Sequence, residues 1–210
     1  MATILKPPVA GVINTLTGRV SERHVLAVFR RVERSAFIDS SLWPRAAADS
    51  PLPIGFAQTT SQPLVIARML AMLLNGRRKL ERVLEIGAGC GYQTALLSYL
   101  CERVIGVERI GDLARTAARR LRTMGYKNTC VVHADGFDGY AAEAPFDGII
   151  VCAAYPEVPE LLLQQLSPEG LLVMPLESAG GTCLTAVNAE GQIVARRDKV
   201  IFVPMLGGKH

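Results

Sequence analysis

The sequence predicts an α/β protein: a doubly wound, mostly parallel Rossmann-like sheet, with an N-terminal helical portion and C-terminal antiparallel strands. Three observations predict it. From Lys79 onward, short apolar runs alternate with helix-like segments. The first of these runs, RVLEIGAG, passes straight into a glycine loop. The C-terminal stretch GTCLTAVNAEGQIVARRDKVIFVPM reads as a β-ribbon that turns at residues 189–191.

The elements follow in chain order. Residues 1–20 carry Pro7, Pro8, Gly11 and Gly18 and are expected to form an irregular arm. Residues 21–34, SERHVLAVFRRVER, place Val25, Leu26, Phe29 and Val32 at helical spacing, with Ser21 as the candidate N-cap. The stretch FIDSSLWPRAAADSPLPIG is loop by its proline, serine and aspartate content. A buried helix comes next: Pro63 suits its first turn, residues 64–74 are apolar nearly all round, and Asn75 and Gly76 suit its end. Beyond it, RVIGVERI, TCVVHADG, APFDGIIVCAA and LLVMPL read as strands, while YQTALLSYLC, GDLARTAARRLRTMGY and PELLLQQLSPEG supply the intervening helices and turns.

With 210 residues, half of them apolar and 20% charged, the chain can bury a full-sized core. A formal charge of +4 without any Lys/Arg run argues against a nucleic-acid partner. The five cysteines include no C-x-x-C pair, which disfavours a zinc site or a disulfide framework; no metal is expected, and reduced thiols point to a cytoplasmic protein. The N-terminus lacks the apolar core of a signal peptide, and the longest apolar run, LVIARMLAMLL, is 11 residues long and contains Arg68, so no membrane partner is expected.

The glycine loop VLEIGAGCGY places Gly87, Gly89 and Gly91 between a strand and a helix. A dinucleotide fingerprint needs a glycine where this chain has Tyr92. Glu85 stands two residues before the first glycine, and Glu108 ends the next strand, 21 residues after Gly87. An acid there can accept both ribose hydroxyl protons. Asp135, in HADG with Gly136, ends the third strand, within reach of an adenine amino group. Three acids at successive strand ends suit a nucleoside without a pyrophosphate, and S-adenosyl-L-methionine fits, its methionine tail near Glu85. The plainer alternative is a tight connection flanked by solvated strand ends.

A methyltransferase acting on a hydroxyl or amine needs a base. Only His24, His133 and His210 exist, none of them in the hydroxyl-rich loop or after the fourth strand. VCAAYP lacks the Asn/Asp-Pro-Pro-Tyr run of amino-group methyltransferases, and Cys152 follows Val151 rather than a proline. A carboxylate substrate, ionised above a pKa of about 3.3–4.3, needs no base. Thr59, Thr60 and Ser61, just before the helix at Pro63, are neutral donors that could grip it with help from the helix dipole. They could equally be ordinary N-caps.

The segments LPIGFAQTTSQP (52–63), VLEIGAGCGYQTALL (83–97), VIGVERI (104–110), ADG (134–136), the run from APFDG to LLVMP (144–175) and FVPM (202–205) together resemble the protein-L-isoaspartate O-methyltransferase family, over roughly residue 20 to the end. The resemblance implies a methyltransferase sheet with an unusual strand order near the C-terminus. It divides the chain into residues 1–78, a helical portion that covers the substrate and carries the hydroxyl loop, and residues 79–210, the cofactor-binding core, in one compact domain. It implies S-adenosyl-L-methionine-dependent methylation of the α-carboxylate of L-isoaspartyl residues in damaged proteins and peptides. Ser61 matches the family's active-site serine, with Thr59 and Thr60 in the same loop. Glu85, Gly87, Gly89 and Gly91 match its cofactor loop, Glu108 its ribose acid, and Asp135 with Gly136 its adenine side. Val203, Pro204 and Met205 resemble the edge that holds the substrate peptide. A monomer is expected. The chain departs from the family at Ala57 and Cys90, where glycine and serine are usual, at Ala134, usually glycine, in RVERSAF, which lacks a proline, and in ESAGGT (177–182). That last departure leaves a small molecule or a dedicated peptide as the alternative substrate.

Overall fold

The computed structural model describes residues 10–210. The chain begins there with two short helices, α1 (Ala10–Leu16) and α2 (Arg23–Phe29), and two 3-10 turns, Arg34–Phe37 and Ser40–Arg45. A small hairpin, β1 (Leu52–Gly55) and β2 (Gln58–Thr60), leads into α3 (Pro63–Leu74). The main unit then alternates: β3 (Leu80–Ile86), α4 (Tyr92–Leu97), β4 (Cys101–Glu108), α5 (Gly111–Thr123), β5 (Thr129–His133), β6 (Phe146–Val151), α6 (Glu160–Leu163) and β7 (Leu166–Leu176). Two strands close it, β8 (Cys183–Asn188) and β9 (Ile193–Lys199).

These seven strands form one sheet in the order β5-β4-β3-β6-β7-β8-β9. The strands from β5 to β7 run parallel, and β8 and β9 are antiparallel additions. The order reverses at β3: the chain first winds toward β5, then crosses back to β6. The crevice beyond the C-terminal ends of strands at such a reversal is where ligands bind in open α/β sheets.

Strand alternation divides the core. Val83, Val104, Ile150, Val173 and Leu184 face the side packed by α1 to α4. Leu84, Ile105, Val107, Ile149, Leu172 and Met174 face the other side, with Leu162 of α6. Helix α3 is buried as its composition requires, with Asn75 closing it in a left-handed conformation at φ 44°.

Several expectations need correction. The expected irregular arm contains helix α1, with Val12, Ile13 and Leu16 in the core; residues 1–9 lie outside the described part. Gly11 is there for close packing, since a Cβ on it would meet Ala47 Cβ at 2.3 Å. The expected helix over 21–34 is only Arg23–Phe29; Glu22 is its N-cap residue, and Ser21 turns its hydroxyl to the Glu22 carboxylate at 3.1 Å. Within the expected loop, Ser40–Arg45 forms a 3-10 turn because Asp39 accepts from the Ser41 N–H at 2.9 Å. Helix α6 is a single turn, and β7 starts at Leu166, so SPEG belongs to a strand.

Candidate active site

A cleft of about 860 Å3, counting its open mouth, lies at the reversal point, within the size range of small-molecule sites. Its floor is the glycine loop after β3, and β4 and β6 contribute Glu108 and Cys152. Gly87 and Gly89 take left-handed conformations at φ 86° and 54°, which side chains other than glycine rarely adopt. A Cβ on Gly89 would also stand 3.0 Å from Ile54 Cδ1, so the loop and the β1 strand touch only because this residue is bare. Arg120 of α5 anchors the loop by donating from Nη1 to the Cys90 carbonyl at 2.7 Å.

The acids at the strand ends serve different geometries. Glu108 is buried, and each of its oxygens accepts one main-chain N–H, from Gly89 at 2.8 Å and from Ile110 at 2.9 Å. Each oxygen keeps a lone pair toward the cleft, as a vicinal diol requires. Glu85 is fully buried; its Oε2 accepts from the Thr94 hydroxyl, and its Oε1 has no partner. Burial pushes its carboxyl up to about 8, against the opposing hydrogen bond from Thr94. An orphaned buried acceptor beside a cleft fits a ligand cation. Gln93 also donates to Cys152 Sγ at 2.9 Å. Burial raises the thiol pKa of Cys90 and Cys152, which keeps both protonated and poor nucleophiles.

Asp135 lies just past the end of its strand. Strand β5 ends at His133, and the Asp135 carboxylate is turned to the main chain, accepting from Phe137 N at 3.0 Å and from Gly208 N. It does not line the cleft; Gly136 does. A Cβ on Gly136 would lie 2.5 Å from Ile86 Cγ2 and 2.6 Å from Met205 Cε, so this glycine admits the C-terminal segment. That segment is fixed by Ala154, whose N–H donates to Val203 O at 2.8 Å and whose carbonyl accepts from Met205 N at 2.9 Å. Val203, Pro204 and Met205 thereby form a wall of the cleft.

Opposite stands the β1–β2 hairpin. Its two-residue turn puts Phe56 and Ala57 at φ 53° and 56°, a geometry that favours glycine or asparagine. Thr59, Thr60 and Ser61 line the cleft. They do not cap α3. Gln62 is the N-cap residue without a side-chain bond, and the carboxylate of Asp49, 15 residues upstream, accepts from Leu64 N at 2.9 Å. The cap question is answered by a residue that the local sequence could not connect to this helix. Asp49 thus stands at the positive end of the helix dipole, the place that the sequence suggests for a substrate anion. The ESAGGT segment forms an exposed connection between β7 and β8 and supplies nothing to the cleft.

Residues 12–210 match the family described as protein-L-isoaspartate(D-aspartate) O-methyltransferase. The chain belongs to that family. A curated relative from Dechloromonas aromatica, named protein-L-isoaspartate O-methyltransferase, is 45% identical over 186 residues, covering 88% of this chain and 86% of its own. A relative of the same name from Halorhodospira halophila is 45% identical over 192 residues, covering 90% of this chain and 87% of its own. Among solved structures, a protein-L-isoaspartate O-methyltransferase superposes with a TM-score of 0.84 at 25% identity, over 95% of this chain and 66% of its own. A Plasmodium falciparum chain solved with S-adenosyl-L-homocysteine superposes with a TM-score of 0.81 at 23% identity, over 95% of this chain and 99% of its own, and shares the fold.

Proposed function

We propose that this enzyme methylates the α-carboxylate of L-isoaspartyl residues in damaged proteins and peptides, with S-adenosyl-L-methionine as donor. One observation carries the reading: residues 59–61, relieved of capping by Asp49, line the same cleft as Glu85 and Glu108. The orphaned Glu85 Oε1 suits the donor's ammonium, and the Glu108 oxygens suit its ribose hydroxyls. Gly136 supports the adenine side. When bound, the donor supplies an electrophilic methyl group on a sulfonium.

The chain's own residues then position and desolvate. Thr59, Thr60 and Ser61 donate hydrogen bonds to the substrate carboxylate, aiming one oxygen and leaving its charge free to be consumed. Neutral donors suit this step, because the nucleophile loses its charge in the transition state and tight ion pairing would stabilise the ground state more. The edge at Val203, Pro204 and Met205 holds the substrate peptide, and the Ile54 and Ile110 side chains exclude water. No base is required. The methyl ester closes to a succinimide, whose hydrolysis restores some normal aspartate. A monomer working in the cytoplasm, where its five free thiols stay reduced, agrees with this chemistry.

The test is transfer of labelled methyl from S-adenosyl-L-methionine to a short peptide carrying L-isoaspartate, against the same peptide with normal aspartate. Base-labile label on the isoaspartyl peptide alone is expected. Label on neither, with donor binding measured separately, overturns the substrate assignment.

A further inference from the structure

Arg34, in the turn Arg34–Phe37, is 2% exposed. Its guanidinium donates only to main-chain carbonyls: Nη1 to Ala48 O at 3.0 Å, and Nη2 to Ser50 O at 2.8 Å, Ser61 O at 3.0 Å and Thr60 O at 3.4 Å. Nε has no partner, and among the described residues no carboxylate lies within ion-pair distance. Carbonyl dipoles satisfy donors but leave the unit charge uncompensated, and a buried guanidinium stays ionised. Asp49, the acid nearest in effect, is committed to Leu64 N and to Arg19 at 3.0 Å. The other groups around Arg34 are the Tyr92 hydroxyl and Cys90 thiol, both kept neutral by burial, and Arg45, of the same sign. The residues whose carbonyls grip Arg34, Thr60 and Ser61, are the ones whose side chains line the cleft.

We propose that Arg34 is a positioning residue for methyl transfer: it clamps the main chain of Thr60 and Ser61 and supplies, from one layer behind the wall, the positive potential that draws the substrate carboxylate onto their hydroxyls. The proposal rests on the carboxyl-methylation reading above. It solves a conflict in that reading. The nucleophile must be attracted as an anion yet must not be trapped in an ion pair, and a charge set back from the surface attracts without direct contact.

The test compares an L-isoaspartyl peptide with its isosteric α-amide, which removes the charge and turns one acceptor oxygen into an NH2 donor, for binding to the protein saturated with S-adenosyl-L-homocysteine. Wild type is expected to prefer the carboxylate about tenfold or more. Arg34→Gln is expected to bring the two affinities together while holding the amide and S-adenosyl-L-homocysteine within a few-fold; Arg34→Lys is expected to restore most of the preference. Absence of preference in wild type overturns the proposal without any variant having to fold. So does equal weakening of both peptides by Gln and Lys, which is the signature of a clamp alone. A wild type that methylates no isoaspartyl peptide removes instead the reading on which the proposal rests.

Discussion

The donor side of the cleft stands on the ends of parallel strands, whereas the substrate side is stitched from a hairpin and a returning C-terminal segment that meet only across the opening. On the donor side, each key acid is fixed from within the sheet and the loops at its strand ends: Glu108 by Gly89 of the glycine loop and by Ile110, Glu85 by Thr94 of α4. On the substrate side, Ser61 is held by Arg34, α3 is capped by Asp49, and residues 203–205 are held by Ala154. A wall grown from the sheet inherits the sheet's rigidity; a stitched wall depends on each stitch. Substitutions on the two sides should therefore separate donor binding from turnover.

The largest effect is expected where the walls meet. Gly136→Val would drive a branched side chain into Ile86 and Met205, displacing the C-terminal segment and lowering methyl transfer by ~100-fold or more, since misplacement of about 1 Å carries that cost. Steady-state rates, with circular dichroism to confirm folding, measure it. On the donor side alone, Glu108→Ala should weaken S-adenosyl-L-homocysteine by about 1–3 kcal/mol through lost charged hydrogen bonds. Calorimetry reads this directly, and an unaltered affinity removes Glu108 from the ribose site.

Glu85 sharpens the comparison through pH. In the ligand-free fold its carboxyl titrates at about 8 rather than at the usual 4.5. The folded state therefore holds a proton that the unfolded chain has released. Stability is fully present below the ordinary carboxyl range and falls as pH rises toward 8, by up to about 1.4 kcal/mol per unit. Pairing with the donor's ammonium requires the ionised form. Affinity for S-adenosyl-L-homocysteine should then rise by up to about tenfold per unit as the pH rises toward 8, with proton release on binding. Titration calorimetry in buffers of different ionisation enthalpy counts that proton, and Glu85→Gln should abolish both trends.

On the substrate side, Ser61→Ala should cut turnover by roughly fivefold, a lost hydrogen bond being worth about 1 kcal/mol, and leave S-adenosyl-L-homocysteine affinity within a few-fold. Unchanged turnover would assign the step to its threonine neighbours. The smallest effect is expected from Ala57→Gly, which relieves a left-handed residue costing about 1–2 kcal/mol. Less the roughly 0.5–1 kcal/mol that glycine loses in backbone entropy, its thermal midpoint should rise by about 2–4 °C, with donor affinity unmoved.

The same contrast explains what could be read from the sequence. The strands, their parallel order and the glycine loop are legible because apolar runs, glycine spacing and acids at strand ends are local signals. The helix at residues 10–16 is not, because Gly11 reads as a breaker while its role is close contact with Ala47. Nor is the hydrogen bond from Gly208 to Asp135, which depends on a residue arriving from the far end of the chain. Arg34 gives no local signal at all, because its acceptors lie 14 to 27 residues away.

The bonds from Ala154 to Val203 and Met205 also set an order of events during synthesis. A ribosome delivers β3, β4 and β6 well before residues 203–205, so the donor side can assemble on the nascent chain while its opposite wall does not yet exist. The wall proposed for the substrate peptide is therefore the later of the two to be made, and it closes onto a sheet that already stands.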